Sequence, residues 1–295
     1  MIVDLDGKTV LVTGGNAGIG KATVQALAAR GATVLLCSRD ERKGEWAAEE
    51  VRVETGRPVQ QLRLDLASFA SIRAAAEQVL AEHGELDVLV NNAGLILSDR
   101  RLTEDGFEQT FGVNHLGHFL LTQLLRPALE RAAAARGEAR VVTVASRAHR
   151  RAKRGLDFDD LQSARGYEGM DAYAKSKLAN IYFSRALARR LAGTGVTSNA
   201  LHPGVVATRF ARDGDARGVV SWFFTLFRPF LKSEAQGAAT SIHLASAPAL
   251  KGVTGKYFAD CREATPTPIA QDDEAAERLW RVSEELVADA SGRGI

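Results

Sequence analysis

The chain has 295 residues, with 38 Lys and Arg against 36 Asp and Glu for a formal charge of +2, and is 45% hydrophobic. A balance so near neutrality gives no electrostatic reason to expect a nucleic-acid partner, and no apolar run reaches the roughly 18 residues of a membrane-crossing helix. Cys37 and Cys261 are too few for a disulfide framework, and Met1 to Asp6 lacks a basic stretch followed by an apolar one, so the expectation is a cytoplasmic protein.

Lys8 to Thr13 is a β-branched and aliphatic run, the pattern of a strand buried in a parallel sheet. Gly14-Gly-Asn-Ala-Gly18-Ile-Gly20 follows, then the amphipathic stretch Lys21 to Arg30, stopped by Gly31, and a second buried strand from Thr33 to Cys37. Strand, glycine-rich turn, helix and strand make a dinucleotide-binding unit, because glycines let backbone amides approach a pyrophosphate at the helix amino terminus. Beyond it the pattern predicts a helix over Glu41–Glu54, a strand over Val59–Leu64, a helix over Ser68–Glu82 and a strand over Leu86–Val90. A long helix from about Glu104 to Ala134, a strand over Arg140–Ala145, a helix carrying Tyr173 and Lys177, and a strand over Val196–Leu201 complete the series. This alternation predicts a doubly wound parallel α/β sheet and one domain over residues 1–295. Residues 206–233 lack the rhythm and read as an insertion covering the substrate at the carboxyl ends of the strands. Asp272 to Ala288 reads as an amphipathic helix.

Tyr173-Ala-Lys-Ser-Lys177 carries the chemistry. Four residues apart, the two side chains share a helix face, and an ammonium beside a phenol of ordinary pKa about 10 favours phenolate. Such a pair is the acid–base catalyst of carbonyl reduction or alcohol oxidation, although the same spacing occurs on solvated helices. Tyr167 and Tyr182 are alternative phenols, but neither has a lysine four residues on. Ser146, at the end of a buried strand, can hydrogen-bond a substrate carbonyl or simply start a turn. After the second strand come Ser38-Arg39-Asp40. An acid at the end of that strand would take a ribose 2′-hydroxyl, whereas arginine accommodates a 2′-phosphate. Asp40 reads as a cap for the next helix. His115 and His118 are the only close histidine pair, with no thiolate or third ligand at a zinc spacing, so a packed role is expected and no metal.

These motifs together resemble the short-chain dehydrogenase/reductase family over almost the whole chain: Thr13-Gly-Gly-Asn-Ala-Gly-Ile-Gly20, Asn91-Asn-Ala-Gly94, Asn114, Ser146, Tyr173 with Lys177, and Pro203-Gly-Val-Val-Ala-Thr208. Within it, Ser176-Lys-Leu-Ala-Asn180, Val205 to Phe210, the long Arg147 to Ala172 separation and Gln236-Gly-Ala resemble the retinol dehydrogenase branch. The resemblance implies a Rossmann fold, NADP(H) rather than NAD(H), and Asn114, Ser146, Tyr173 and Lys177 as the catalytic set, with Asn114 holding a water that connects the lysine to solvent. It implies cofactor contacts from Thr13, Gly14, Asn16, Gly18, Ile19, Gly20, Ser38, Arg39, Asn92, Ala93, Gly94, Tyr173, Lys177, Pro203, Gly204, Val206 and Thr208. Asp65 and Leu66 would flank the adenine, with a helix cap as the competing role for Asp65. The family commonly pairs subunits through the helices carrying Asn114 and Tyr173, so a homo-oligomer is expected.

The substrate expected is a carbonyl or alcohol. Val219 to Leu231 concentrates five aromatic residues in a chain with 6% of them; Trp222, Phe223 and Phe227 read as a lid over a lipophilic ligand, with plain packing and peripheral membrane contact as the other readings. Arg147 to Arg154 holds five basic residues and a histidine; it reads as a solvated loop, with an acidic substrate or lipid headgroups as alternatives. The rival functions are reduction of quinones or small aldehydes and, from another class, dinucleotide sensing without turnover.

Overall fold

The computed structural model describes residues 4–204 and 232–292, and one sheet organises them. β1 (Thr9–Val12), β2 (Thr33–Ser38), β3 (Val59–Arg63), β4 (Val88–Asn91), β5 (Ala139–Val144), β6 (Val196–His202) and β7 (Tyr257–Ala259) run parallel, and β8 (Arg262–Glu263) returns antiparallel. Their spatial order is β3-β2-β1-β4-β5-β6-β7-β8. The order reverses between β1 and β4, which opens a crevice beyond the carboxyl ends of those strands where ligands bind in such sheets.

The inner strands are covered on both faces, which is why they read as continuous aliphatic runs. Leu11, Leu35, Leu62, Leu89 and Val141 point to one face, covered by α3 (Phe69–Glu82), α5 (Gly117–Arg136) and α6 (Gly169–Arg190). Val10, Val12, Val34, Leu36 and Val142 point to the other, covered by α1 (Gly18–Ala28), α2 (Glu41–Thr55) and α7 (Glu234–Ser246). Asp40 caps α2 as expected, accepting from the Lys43 amide, and Gly56 ends it at a φ of 65°.

The helix expected from about Glu104 starts later and is not uniform. Thr103 to Phe107 form a turn, with the Gly106 amide donating to the Thr103 carbonyl at 3.0 Å and the Phe107 amide to Thr103 Oγ1 at 3.1 Å. The Glu108 carboxylate then caps the single turn α4 (Gln109–Phe111), accepting from the Thr110 and Phe111 amides at 2.8 and 2.7 Å. A π-helical turn over Gly112–Leu116 joins α4 to α5; such bulges inside helices are frequent at functional sites.

α7 and the β7–β8 hairpin were not expected from the pattern. The amphipathic tail forms α8 (Asp273–Gly292), which packs across α5 and α6. Trp280, 2% exposed, stacks on Phe183 at 6.0 Å and meets Phe119 edge-on at 4.9 Å. Arg185, Arg189 and Arg190 of α6 bind Asp273 and Glu277 of α8 at 2.7–2.8 Å. The carboxyl-terminal helix thus lies along α6, with Phe119 of α5 under its indole. Among the described residues, no helix is long and apolar enough to cross a membrane.

Candidate active site

β1 delivers the chain into the glycine turn at the crevice. Gly14 and Gly18 have φ of 64° and 58°, a region open mainly to glycine. A Cβ at Gly20 would lie 2.1 Å from the Gly14 carbonyl oxygen, so only glycine allows this helix start. Ala17 offers the first amides of α1 no side-chain cap, which leaves those N–H groups and the positive end of the helix dipole for an anionic ligand. Asn16 and Ile19 are partly buried in the same turn.

Thr13 is fully buried, and its hydroxyl shapes the crevice from below. Oγ1 accepts from the Asn92 and Ala93 amides, each at 2.9 Å, while the Asn92 side-chain amide donates to the Thr13 carbonyl at 2.8 Å. The Asn92-Ala93-Gly94 turn is thus pinned to the end of β1. A Cβ at Gly94 would lie 3.1 Å from Lys177 Nζ and 3.2 Å from Asn114 Oδ1. The missing side chain is what lets this turn sit against Lys177 and Asn114.

At the end of β2, Ser38 is 3% exposed and its hydroxyl donates to the Asp40 carbonyl at 2.9 Å, while Arg39 is exposed. The Asp40 carboxylate is engaged by Lys43, through its amide at 3.1 Å and its ammonium at 3.8 Å. The acid at this strand end thus serves as the cap of α2. Ser68, not Asp65, caps α3; Asp65 accepts from the Ala67 amide at 2.9 Å and is partly buried. Leu66 is 6% exposed and packed under Gly117, where a Cβ would lie 2.7 Å from the Leu66 carbonyl.

Ser146 follows β5 and caps a 3₁₀ turn over Arg147–Arg151, its Oγ accepting from the Ala148 amide at 3.1 Å. The turn role and proximity to Tyr173 coexist: the Ser146 hydroxyl lies near enough to the phenol to favour its ionised form. Lys177 is 2% exposed, donates to the Val144 carbonyl at 3.1 Å, and has Nζ 5.7 Å from the Tyr173 ring centre. Burial lowers the Lys177 ammonium to about 8. The phenol departs from the sequence expectation: burial raises Tyr173 above its ordinary value, and the Ser146 hydroxyl offsets this only in part. Desolvation of the phenolate is the dominant effect. Tyr173 is consequently a protonated donor at neutral pH. The alternative phenols are engaged elsewhere, Tyr167 with Thr110 at 3.2 Å and Tyr182 donating to the Ile269 carbonyl at 2.6 Å.

Asn114 sits at the middle of the π turn with no exposed surface. Its Oδ1 accepts from the Leu95 amide at 2.8 Å, and Nδ2 donates to the Leu95 carbonyl and to Ser176 Oγ, both at 2.9 Å. Its side chain therefore ties the segment after β4 to α6, so that Gly94, Lys177 and Tyr173 keep one spacing. Sequence reasoning missed Ser176 in this role; the only signal was its place beside Lys177 and one turn from Tyr173.

On the opposite side, Pro203 and Gly204 leave β6, with Gly204 at a φ of 85° and packed close to Lys232. Lys232 pairs with Asp260. The exposed arginines after Ser146 flank His149, which is buried and donates through Nδ1 to the Ser146 carbonyl at 2.7 Å. Val206, Thr208, Trp222, Phe223 and Phe227 lie outside the described residues. Among the described residues, no cluster of three His, Cys, Asp or Glu is arranged to hold a metal.

A family model described as short chain dehydrogenase matches residues 8–157 and 160–217. Retinol dehydrogenase 12 of Homo sapiens is 49% identical over 97% of this chain and 88% of its own length, and retinol dehydrogenase 14 of Homo sapiens is 44% identical over 96% and 87%. Among solved structures, a protein from Mycobacterium paratuberculosis is similar with a TM-score of 0.76 and 32% identity over 97% of this chain and 95% of that one. The RhlG/NADP active-site complex of Pseudomonas aeruginosa is similar with a TM-score of 0.68 and 31% identity over 86% and 95%. With a glycine-lined crevice at the β1/β4 switch and a serine, tyrosine and lysine beside it, the chain belongs to the short-chain dehydrogenase family and has its Rossmann fold.

Proposed function

We propose that this oxidoreductase uses NADP(H) to interconvert a lipophilic aldehyde or ketone and its alcohol. The observation that carries the reading is the gathering of Ser146, Tyr173 and Lys177 at one end of the crevice, with Lys177 Nζ 5.7 Å from the phenol ring and the bare Gly94 backbone against Lys177. The residues suited to hold the dinucleotide are Gly14, Asn16, Gly18, Ile19 and Gly20 at the pyrophosphate, Arg39 at the adenosine ribose, Asp65 near the adenine, and Asn92, Ala93, Gly94, Lys177, Pro203 and Gly204 towards the nicotinamide. When bound, the nicotinamide supplies or accepts the hydride. Ser146 and Tyr173 hydrogen-bond the carbonyl oxygen, and Tyr173 gives it a proton in reduction or takes one in oxidation. Lys177 contributes its ammonium to the ribose hydroxyls and keeps positive charge near the phenol.

Two observations support NADP(H) in particular: Ser38 and Arg39 stand where an acid would favour NAD(H), and Asp40 is committed to capping α2. Support for a lipophilic substrate comes from the retinol dehydrogenases at 43–49% identity and from the aromatic composition of residues 219–231. The test is oxidation of NADPH against retinal and a series of aliphatic aldehydes. Efficiency should rise about fourfold per added methylene until the pocket is full, the equivalent of about 0.8 kcal/mol. A flat series removes the lipophilic reading, and cofactor binding without turnover on any carbonyl or alcohol leaves the sensing role instead.

A further inference from the structure

His118 is buried between the two halves of the site and has no part in the chemistry above. Its Nδ1 lies 3.1 Å from the Asn114 carbonyl oxygen and its Nε2 lies 2.9 Å from Thr13 Oγ1. A carbonyl can only accept, so Nδ1 carries the proton and Nε2 is left as an acceptor. The Thr13 hydroxyl must then donate to Nε2; its other acceptor, the Val90 carbonyl, is farther away at 3.4 Å. With its own proton so directed, Oγ1 turns its lone pairs to the Asn92 and Ala93 amides at 2.9 Å. Full burial, with the Lys177 charge nearby, holds the imidazole neutral, its pKa brought down to about 4, so the acceptor persists throughout the physiological range.

We infer that His118 is a positioning residue that fixes the rotation of the Thr13 hydroxyl, and through it the Asn92-Ala93-Gly94 turn, in register with the Asn114 turn. The two bonds of one ring join the cofactor-facing turn after β4 to the helical segment that carries Asn114. The His118 and Thr13 side chains are both shut off from solvent. The role rests on the reading of the crevice as a nicotinamide dinucleotide site.

The two bonds can be separated, because glutamine can place a carbonyl oxygen where Nε2 lies and asparagine can place an amide where Nδ1 lies. NADPH affinity is measured by fluorescence titration, alongside thermal unfolding of the empty protein. His118→Leu should weaken binding by about tenfold, the scale of a lost buried hydrogen bond with its partner left unpaired. His118→Gln should restore affinity to within about threefold of wild type, whereas His118→Asn should stay as weak as leucine. Thr13→Val should weaken binding more than His118→Leu, because it also removes the bonds from the Asn92 and Ala93 amides, and adding His118→Leu to it should weaken binding no further, since the histidine acts through the hydroxyl already lost. The role is overturned if His118→Leu binds normally, if glutamine and asparagine fall together in step with unfolding temperature, or if His118→Leu weakens the Thr13→Val protein further. Should the leucine variant not fold, ¹⁵N-histidine spectra of the wild-type protein decide: His118 should show the Nδ1–H tautomer without titrating between about pH 5 and 8, and the Nε2–H tautomer overturns the inference. If wild type binds neither NADPH nor NADH, the cofactor reading has failed instead, and the tautomer still tests the hydrogen-bond geometry.

Discussion

The inner wall of the crevice and its outer rim are built on opposite plans. Thr13, Asn114 and His118 are 0–1% exposed and Lys177 is 2% exposed, each hydrogen-bonded within the protein. At the rim, Arg39 is exposed at the end of β2. The inner wall is therefore part of the packed core, and on the reading proposed above the same residues would serve the chemistry. The rim can change without disturbing packing. On the proposed reading, catalytic geometry resides where substitution is costly, and cofactor preference where it costs the fold little.

Tyr173→Phe should produce the largest effect, since it removes the proton donor while leaving the ring that packs beside Lys177. Turnover should fall about a hundredfold or more, the usual scale for a lost general acid, while NADPH affinity from titration stays within about twofold. Near wild-type turnover would mean that the inner wall is structural only, and the contrast with the rim would lose its chemical meaning.

Arg39→Ala addresses the rim alone. A charge-assisted phosphate contact is worth roughly 1.5 to 3 kcal/mol, so the preference for NADPH over NADH should shrink by about ten- to a hundredfold. The unfolding temperature of the empty protein should not move. A wild-type protein that binds NADH as tightly as NADPH breaks this side of the comparison.

Much of this division was legible in the sequence. The glycine turn, Asn91 to Gly94, Ser146 and Tyr173 with Lys177 are short motifs whose local spacing nearly determines their geometry, and the buried strands announce themselves as aliphatic runs. What could not be read depends on partners distant in the chain. Trp280 reads as one apolar position of an amphipathic helix, and nothing local to it shows that it stacks on Phe183 and meets Phe119 edge-on. The start of the helix before Asn114 was misplaced because Glu108 caps it through its side chain and Thr103 holds a preceding turn, both with residues that also suit a helix interior. Asp260 and Cys261 take φ of 50° and 59° in the β7–β8 hairpin without a glycine to mark the turn. The spacing of Tyr173 and Lys177 gave proximity but not burial, and burial decides the direction in which the phenol moves.

Lys177 gives the inner wall a pH signature. Its folded pKa is about 8, lowered from 10.5 by burial. As pH rises through about 8 the ammonium loses the charge it offers the ribose hydroxyls, so NADPH affinity should fall by about tenfold between pH 7 and 9. Stability should run the other way. A lysine depressed in the folded state costs free energy while protonated, so the empty protein gains stability as pH climbs from about 8 towards 10.5. Titrations and thermal unfolding across that range should show opposite slopes, and Lys177→Met should flatten both. Parallel slopes in the wild type would assign the pH dependence to another group.

Ser38→Ala should have the smallest effect, and it asks where the rim ends. Ser38 stands beside Arg39 at the strand end, but its hydroxyl proton goes to the Asp40 carbonyl at 2.9 Å, and α2 crosses so closely that a Cβ at Gly44 would lie 2.9 Å from Ser38 Cβ. A phosphate needs donors, and a hydroxyl already donating inward can add only a weak contact. NADPH affinity of Ser38→Ala should therefore stay within about twofold of wild type, with NADH affinity unchanged, since a neutral bond kept in place of another exchanges little free energy. A loss of about tenfold, equal to that from Arg39→Ala, would show the serine turning from Asp40 to the phosphate on binding. Cofactor preference would then depend partly on a residue only 3% exposed, and the separation of an immovable wall from a free rim would give way at this strand end.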